Sequence, residues 1–130
     1  MSNRRKSGLP SAYRSDFLRS PAWFARRERW FRKQERLGRP LCCAACDQTA
    51  VKSQLELHHL DYAGVQYVDG RWRAFEGHED LIALHPYCHD LLHRLIDRDV
   101  VLAQYRSRRD ATVMALERLH TGLASEQEST

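Results

Sequence analysis

Two short spacings tie distant parts of this chain together more firmly than any hydrophobic pattern does. Cys43 and Cys46 lie in "CCAAC", and His85 and Cys88 lie in "LHPYCH". Two ligands separated by two residues sit on one tight turn, and two such turns some forty residues apart make a tetrahedral Cys3His zinc site. Disulfides fit poorly. Three of the four cysteines, Cys42, Cys43 and Cys46, are crowded together, and no secretion signal precedes them. Cys42 stands beside Cys43, either as a competing ligand or as a small buried residue. A structural Zn2+ held by Cys43, Cys46, His85 and Cys88 is therefore the first constraint on the fold.

With 130 residues the chain has room for one domain and one modest core. No apolar run reaches the roughly 18 residues of a membrane span, and the basic start "MSNRRKSGLPSAY" lacks the apolar stretch of a signal peptide. These features predict a cytoplasmic protein with no membrane contact. The charge is uneven: residues 1–41 hold twelve of the 21 Lys and Arg but only three of the 17 Asp and Glu. A basic arm on an acidic body is the footprint of a protein that meets nucleic-acid phosphates. The competing reading is a solvated surface helix.

Local patterns predict the elements. Ser20-Pro21 starts a helix that Gly38 and Pro40 stop. Trp23, Phe24, Trp30 and Phe31 recur seven apart and are expected to form its core stripe. Arg26, Arg29, Arg32, Lys33 and Arg36 occupy much of the remainder and are the candidate nucleic-acid contacts. Leu55 and Leu57 lead a short strand into His58 and His59. Asp69-Gly70 between two strand-like runs signals a two-residue hairpin. "DLIALH" reads as another strand, entering a helix with apolar residues at Leu91, Leu92, Leu95 and Ile96. A last helical pattern runs from Val100 to about Leu123, carried by Leu102, Tyr105, Met114, Leu116 and Leu119. Residues 1–12 are expected to be a flexible basic N-terminus and 124–130 a disordered tail.

The histidines then fall into a pattern. His89 and His93 are four apart on one helix face, so both rings can reach one ion, and His58 on the strand supplies a third nitrogen. His59 is left over. Three protein ligands with a free imidazole nearby suit metal-assisted hydrolysis, which needs a Lewis acid and a base near physiological pH. A second structural zinc with His59 as bystander is the bland alternative.

Taken together, "CAAC", "LELHHLDY" and "DLIALHPYCHDLLH" resemble the HNH endonucleases of the ββα-metal (His-Me finger) type, over about residues 13–96. "YRSDFLRSPAWFARRERWF" is similar to the helix that often precedes their core. The resemblance implies an α+β fold: a small ββα-metal core with structural zinc at about 41–97, within a single nuclease domain of residues 13–123. An N-terminal basic helix and C-terminal helices would flank it. It further implies that His58 binds the catalytic metal, that His59 is the general base, and that His89 and His93 are the helix ligands. The implied activity is hydrolysis of DNA phosphodiester bonds, on double-stranded DNA, with Mg2+, Mn2+, Ni2+ or Zn2+ as the catalytic ion.

Two positions depart from that pattern. Asp80 stands where the family has Asn, and His85 where it has Cys. A carboxylate at Asp80 could accept a hydrogen bond from the His59 ring, bind metal, or mark a degenerate site. Since neighbouring strand residues point to opposite faces, a bulge or a strand edge is expected at His58–Leu60. The alternative from another class is a catalytically inactive zinc-ribbon DNA-binding module; protein partners are unspecified.

Overall fold

A computed structural model describes residues 11–98 and 107–128. The chain is an α+β domain with two small antiparallel sheets. A short helix α1 (Ser11–Phe17) leads through Ser20 into α2 (Pro21–Arg36). The Ser20 side chain accepts a hydrogen bond from the Trp23 backbone N–H at 3.2 Å and donates to the Phe17 carbonyl at 2.6 Å, so one hydroxyl caps α2 and joins it to α1. Gly38, at φ 67°, ends α2 in the left-handed conformation that glycine tolerates best.

Strand β1 (Glu56–His59) pairs antiparallel with β4 (Leu81–Leu84), His58 opposite Ile82 and His59 opposite Leu81. Between them β2 (Val65–Val68) and β3 (Arg71–Ala74) form a separate hairpin. Its turn residues Asp69 and Gly70 both have positive φ, 52° and 76°, as a type I′ turn demands. Helix α3 (Pro86–Arg98) follows β4 after one residue and packs on β1, β4 and α4 (Arg108–Glu128). The core is built from Phe17, Trp23, Trp30, Leu57, Leu84 and Leu92 with their neighbours.

Several expectations change. Phe24 does not share the aromatic stripe: Trp23, Trp30 and Phe31 are buried while Phe24 is 57% exposed. At 100° per residue it lies just past the edge of the buried arc. The strand is regular through His59, and the Leu60 N–H still reaches the Asp80 carbonyl at 2.8 Å, so no bulge forms at His58–Leu60. Helix α4 continues to Glu128, beyond the expected end near Leu123 and into the stretch expected to be disordered. Leu102, Tyr105 and residues 1–10 lie outside the described residues; α1 begins at Ser11, inside the stretch expected to be flexible. No helix among the described residues is long and apolar enough to cross a membrane.

Candidate metal centres

The first cluster is built by two turns. The Cys43 N–H bonds the Gln48 carbonyl at 3.0 Å, the Asp47 N–H returns to the Cys43 carbonyl at 2.9 Å, and Asp47 takes φ 61° to close the knuckle. The Ala44 N–H bonds the Ala83 carbonyl at 2.8 Å, which pins the knuckle to β4. His85 leaves the end of β4 and Cys88 sits in the first turn of α3. Ligand atoms of Cys43, Cys46, His85 and Cys88 all lie within 4.8 Å of one another. The distance from Cys46 Sγ to His85 Nδ1 is 3.4 Å. A tetrahedral ion with ordinary Zn–S and Zn–N bonds requires about 3.6 Å. Cys42 is outside the cluster, its Sγ 3.7 Å from the Pro40 carbonyl, which decides between the adjacent cysteines.

The electrostatics of these thiols also ask for a cation. Burial pushes the Cys88 thiol up, and the neighbouring Cys43 and Cys46 sulfurs push it further, to about 12. Burial raises Cys43 as well, but the backbone N–H groups of Cys46, His85 and Ala45 outweigh it and bring that thiol below its ordinary value. Three sulfurs this close cannot all ionise unless a positive ion is among them. The Cys3His group can hold a metal such as zinc.

The second cluster joins β1 to α3. Ring nitrogens of His58, His89 and His93 lie within 4.8 Å of one another: His58 Nδ1 is 3.3 Å and His93 Nε2 is 3.0 Å from His89 Nε2. Two imidazole nitrogens on one ion at about 2.0–2.1 Å are separated by about 3.3 Å at a tetrahedral angle and about 2.9 Å at a right angle. The outer nitrogens are engaged elsewhere. His89 Nδ1 lies 2.9 Å from the Glu56 carboxylate and His58 Nε2 3.0 Å from Thr112 Oγ1. Because Glu56 only accepts, His89 carries its proton on Nδ1 and turns the lone pair of Nε2 inward. That single lone pair cannot serve both neighbouring rings, so the three nitrogens do not close a hydrogen-bond network of their own. Burial holds His58 well below the ordinary imidazole value, with Arg108 adding to it, and burial with the His89 ring brings His93 to about 4. Both rings are neutral at pH 7, the state in which imidazole binds metal.

His59 points to the other side of the strand. Its ring is stacked on Tyr62 (centroids 4.2 Å apart, planes at 13°) and leans on Trp23 and Phe17. Nε2 lies 2.6 Å from Glu76 Oε2, both side chains being almost fully buried. Burial lowers the His59 pKa, and the Glu76 carboxylate opposes but does not cancel that effect. The neutral ring therefore donates Nε2–H to Glu76 and keeps its basic lone pair on Nδ1. The His59 carbonyl accepts a 2.5 Å hydrogen bond from Arg108 Nε. A cleft of about 160 Å³ is lined by all four histidines together with Arg14 and Arg108.

Asp80 is not the partner of His59. Its carboxylate bonds the Arg109 guanidinium and accepts the Gly77 N–H at 3.2 Å, so it fixes the turn ahead of β4 instead. Arg26 does not lie on the free face of α2: it is buried, with Nε donating to the Glu76 carbonyl at 3.0 Å. Arg29 reaches the Ala74 carbonyl at 3.2 Å but is not buried, and Arg32, Lys33 and Arg36 also stay at the surface. Sequence reasoning missed Glu76, Glu56, Thr112 and Arg108. One usable signal was present for Glu76. Continuing the alternation of β3 past Ala74 turns residue 76 inward.

Models of known families, curated proteins and solved structures provide no match to this chain.

Proposed function

We propose that the protein is a metal-dependent endonuclease of the HNH kind that hydrolyses DNA phosphodiester bonds. The observation that carries this reading is the cleft in which the His58, His89 and His93 nitrogens converge beside the carboxylate-held His59. The order β1, β4, α3, with ligands on the first strand and on the helix, supports a ββα-metal core.

The residues have separable tasks. His58, His89 and His93 would hold a divalent ion, with Thr112 and Glu56 fixing the rings of the first two. When bound, that ion supplies a Lewis acid for the scissile phosphate and for the departing 3′ oxygen. His59 Nδ1 accepts a proton from the attacking water as the new P–O bond forms, and the P–O3′ bond breaks on the opposite side. Glu76 retains the Nε2 proton and stabilises the imidazolium that results. Arg14 and Arg108 line the cleft and suit the negative charge of a phosphodiester. Cys43, Cys46, His85 and Cys88 would hold a zinc that keeps β4, α3 and the first knuckle in register, apart from the reaction.

A plasmid-nicking assay with magnesium, manganese, nickel or zinc, with and without chelator, tests the reading. His59→Ala is expected to lose roughly 10²–10⁴-fold in rate with metal binding retained, whereas His89→Ala loses metal and activity together. The near-complete burial of His59 favours one competing reading, a catalytically silent zinc module that binds DNA. DNA binding without nicking in any of the four metals would select it.

A further inference from the structure

A second cleft, of about 390 Å³, lies between α2 and the segment after β3, with Arg26, Arg29, Lys33, Arg36, Phe75 and His78 on its walls. We propose that this cleft binds single-stranded nucleic acid, its phosphates on Arg29, Lys33 and Arg36 and one unpaired base on the ring of Phe75. The proposal rests on the nuclease reading for the choice of DNA as the polymer, and it adds a substrate class with a single-stranded segment beside the cut site.

Phe75 is 62% exposed, and its direction is fixed by the backbone. Its N–H bonds the Gly64 carbonyl at 2.8 Å, and a side chain at Gly64 would come within 2.6 Å of the Phe75 carbonyl. This close approach, open only to glycine, holds the segment in strand-like alternation: Ala74 inward, Phe75 outward, Glu76 inward. A single exposed apolar residue is ordinary on a protein surface. This one shares its cleft with three cations that have no ion pair among the described residues. Glu28 is paired with Lys52 and Arg27 and Glu79 with Arg39, while Glu35, about 200° round the helix from Lys33, lies on another side of α2. Arg26 and Arg29 are held by the Glu76 and Ala74 carbonyls, which pre-sets their guanidinium groups along one edge.

Cations that track a backbone, with an aromatic face among them, are the elements of single-strand recognition. A duplex could satisfy the cations but not the ring, because its base faces are already stacked on one another. The buried Glu76 carboxylate faces His59 and leaves the cleft's exposed charge positive.

The test uses the 130-residue chain in the His89→Ala background, with zinc supplied to the Cys3His site alone, so that binding is read without cleavage. Fluorescence anisotropy compares a labelled oligothymidylate with a blunt duplex of matched length. Phe75→Ala is expected to weaken single-strand binding roughly 5- to 150-fold and to leave duplex binding within about two-fold, while Phe75→Tyr restores the single-strand affinity. The triple substitution Arg29→Gln, Lys33→Gln and Arg36→Gln should flatten the single-strand salt dependence by about 0.7 in log K against log salt for each phosphate no longer neutralised. Equal weakening on both ligands for Phe75→Ala, or absence of single-strand binding in the parent, would overturn the proposal. A nicking assay that fails in every metal bears on the catalytic reading alone.

Discussion

Replacing Cys46 with Ala is the sharpest test of what holds the fold. The knuckle lies in the stretch between α2 and β1, whose regular structure amounts to the Cys42–Thr49 bridge and one 3₁₀ turn at Lys52–Gln54. The buried side chains of the knuckle itself, Cys43 and Ala45, are small, and Leu55 is the one large buried residue of the stretch. Hydrophobic burial by the knuckle itself is therefore small, and a metal held by Cys43, Cys46, His85 and Cys88 would supply the cross-link to β4 and α3. Structural zinc contributes about 10–16 kcal/mol in small zinc-binding peptides, against a total stability of about 5–15 kcal/mol for a domain. Removing one ligand need forfeit only half of the zinc contribution, about 5 kcal/mol, to leave a marginal domain unfolded. Cys42→Ala is the internal control, because Cys42 lies one residue from the cluster but outside it. That change should fall within about 0.5 kcal/mol. Thermal melting by circular dichroism, with metal stoichiometry by mass spectrometry, reads both variants. A Cys46→Ala protein that keeps its zinc and melts like the parent would refute the reasoning, as would equal damage from Cys42→Ala.

The core of α2 and the histidine clusters yield two further tests. Trp30→Ala should cost about 3–5 kcal/mol, since the ring is buried and its Nε1–H donates to the His78 carbonyl at 3.0 Å, while exposed Phe24→Ala should be nearly silent in urea denaturation. For pH, burial keeps His58, His59 and His93 below the ordinary 6.5, His93 at about 4. The unfolded chain then binds protons that the folded chain refuses, so stability is present above pH 6.5 and drains as pH falls from 6.5 toward about 4. A flat urea midpoint across that interval would contradict the burial of neutral rings.

What could be read from the sequence was what short spacing encodes. The gap from Cys43 to Cys46, the gap from His85 to Cys88 and the four-residue step from His89 to His93 each fix a geometry within one turn of chain, and those residues do converge in two groups that could each hold a metal ion. The Asp69-Gly70 turn and the Ser20 cap are equally local. What escaped depends on contacts between distant segments. Glu76 meets His59 only because the hairpin returns the chain beside β1, and nothing in the residues next to either position states this. Arg26 looks like a surface cation on a helical wheel. It is buried because the Glu76 carbonyl, fifty residues away, accepts its Nε–H. Motif position alone pairs Asp80 with His59, whereas its carboxylate is taken by Arg109 from a helix near the other end of the chain.

The paired histidines illustrate how a regular strand gives two adjacent imidazoles different surroundings. A bulge would have turned both rings to one side, but the pairing of His58 with Ile82 and His59 with Leu81 keeps the alternation intact. His58 faces α3 and α4, where His89, His93 and Thr112 surround it; His59 faces Trp23, Tyr62 and Glu76. The strand thus separates a group of rings whose nitrogens meet from a ring whose Nε2 is held by a carboxylate. The separation has an electrostatic use. With His59 turned away from the other three rings, its proton affinity is set mainly by burial and by Glu76, and only secondarily by Arg108 and Arg26. A bulge would bring His59 among the His58, His89 and His93 nitrogens and, under the proposed reading, would make it a fourth ligand and take its lone pair from proton transfer. The regular strand therefore keeps the two kinds of imidazole distinct at adjacent positions, and β1 ends at His59, where both faces open on the same cleft.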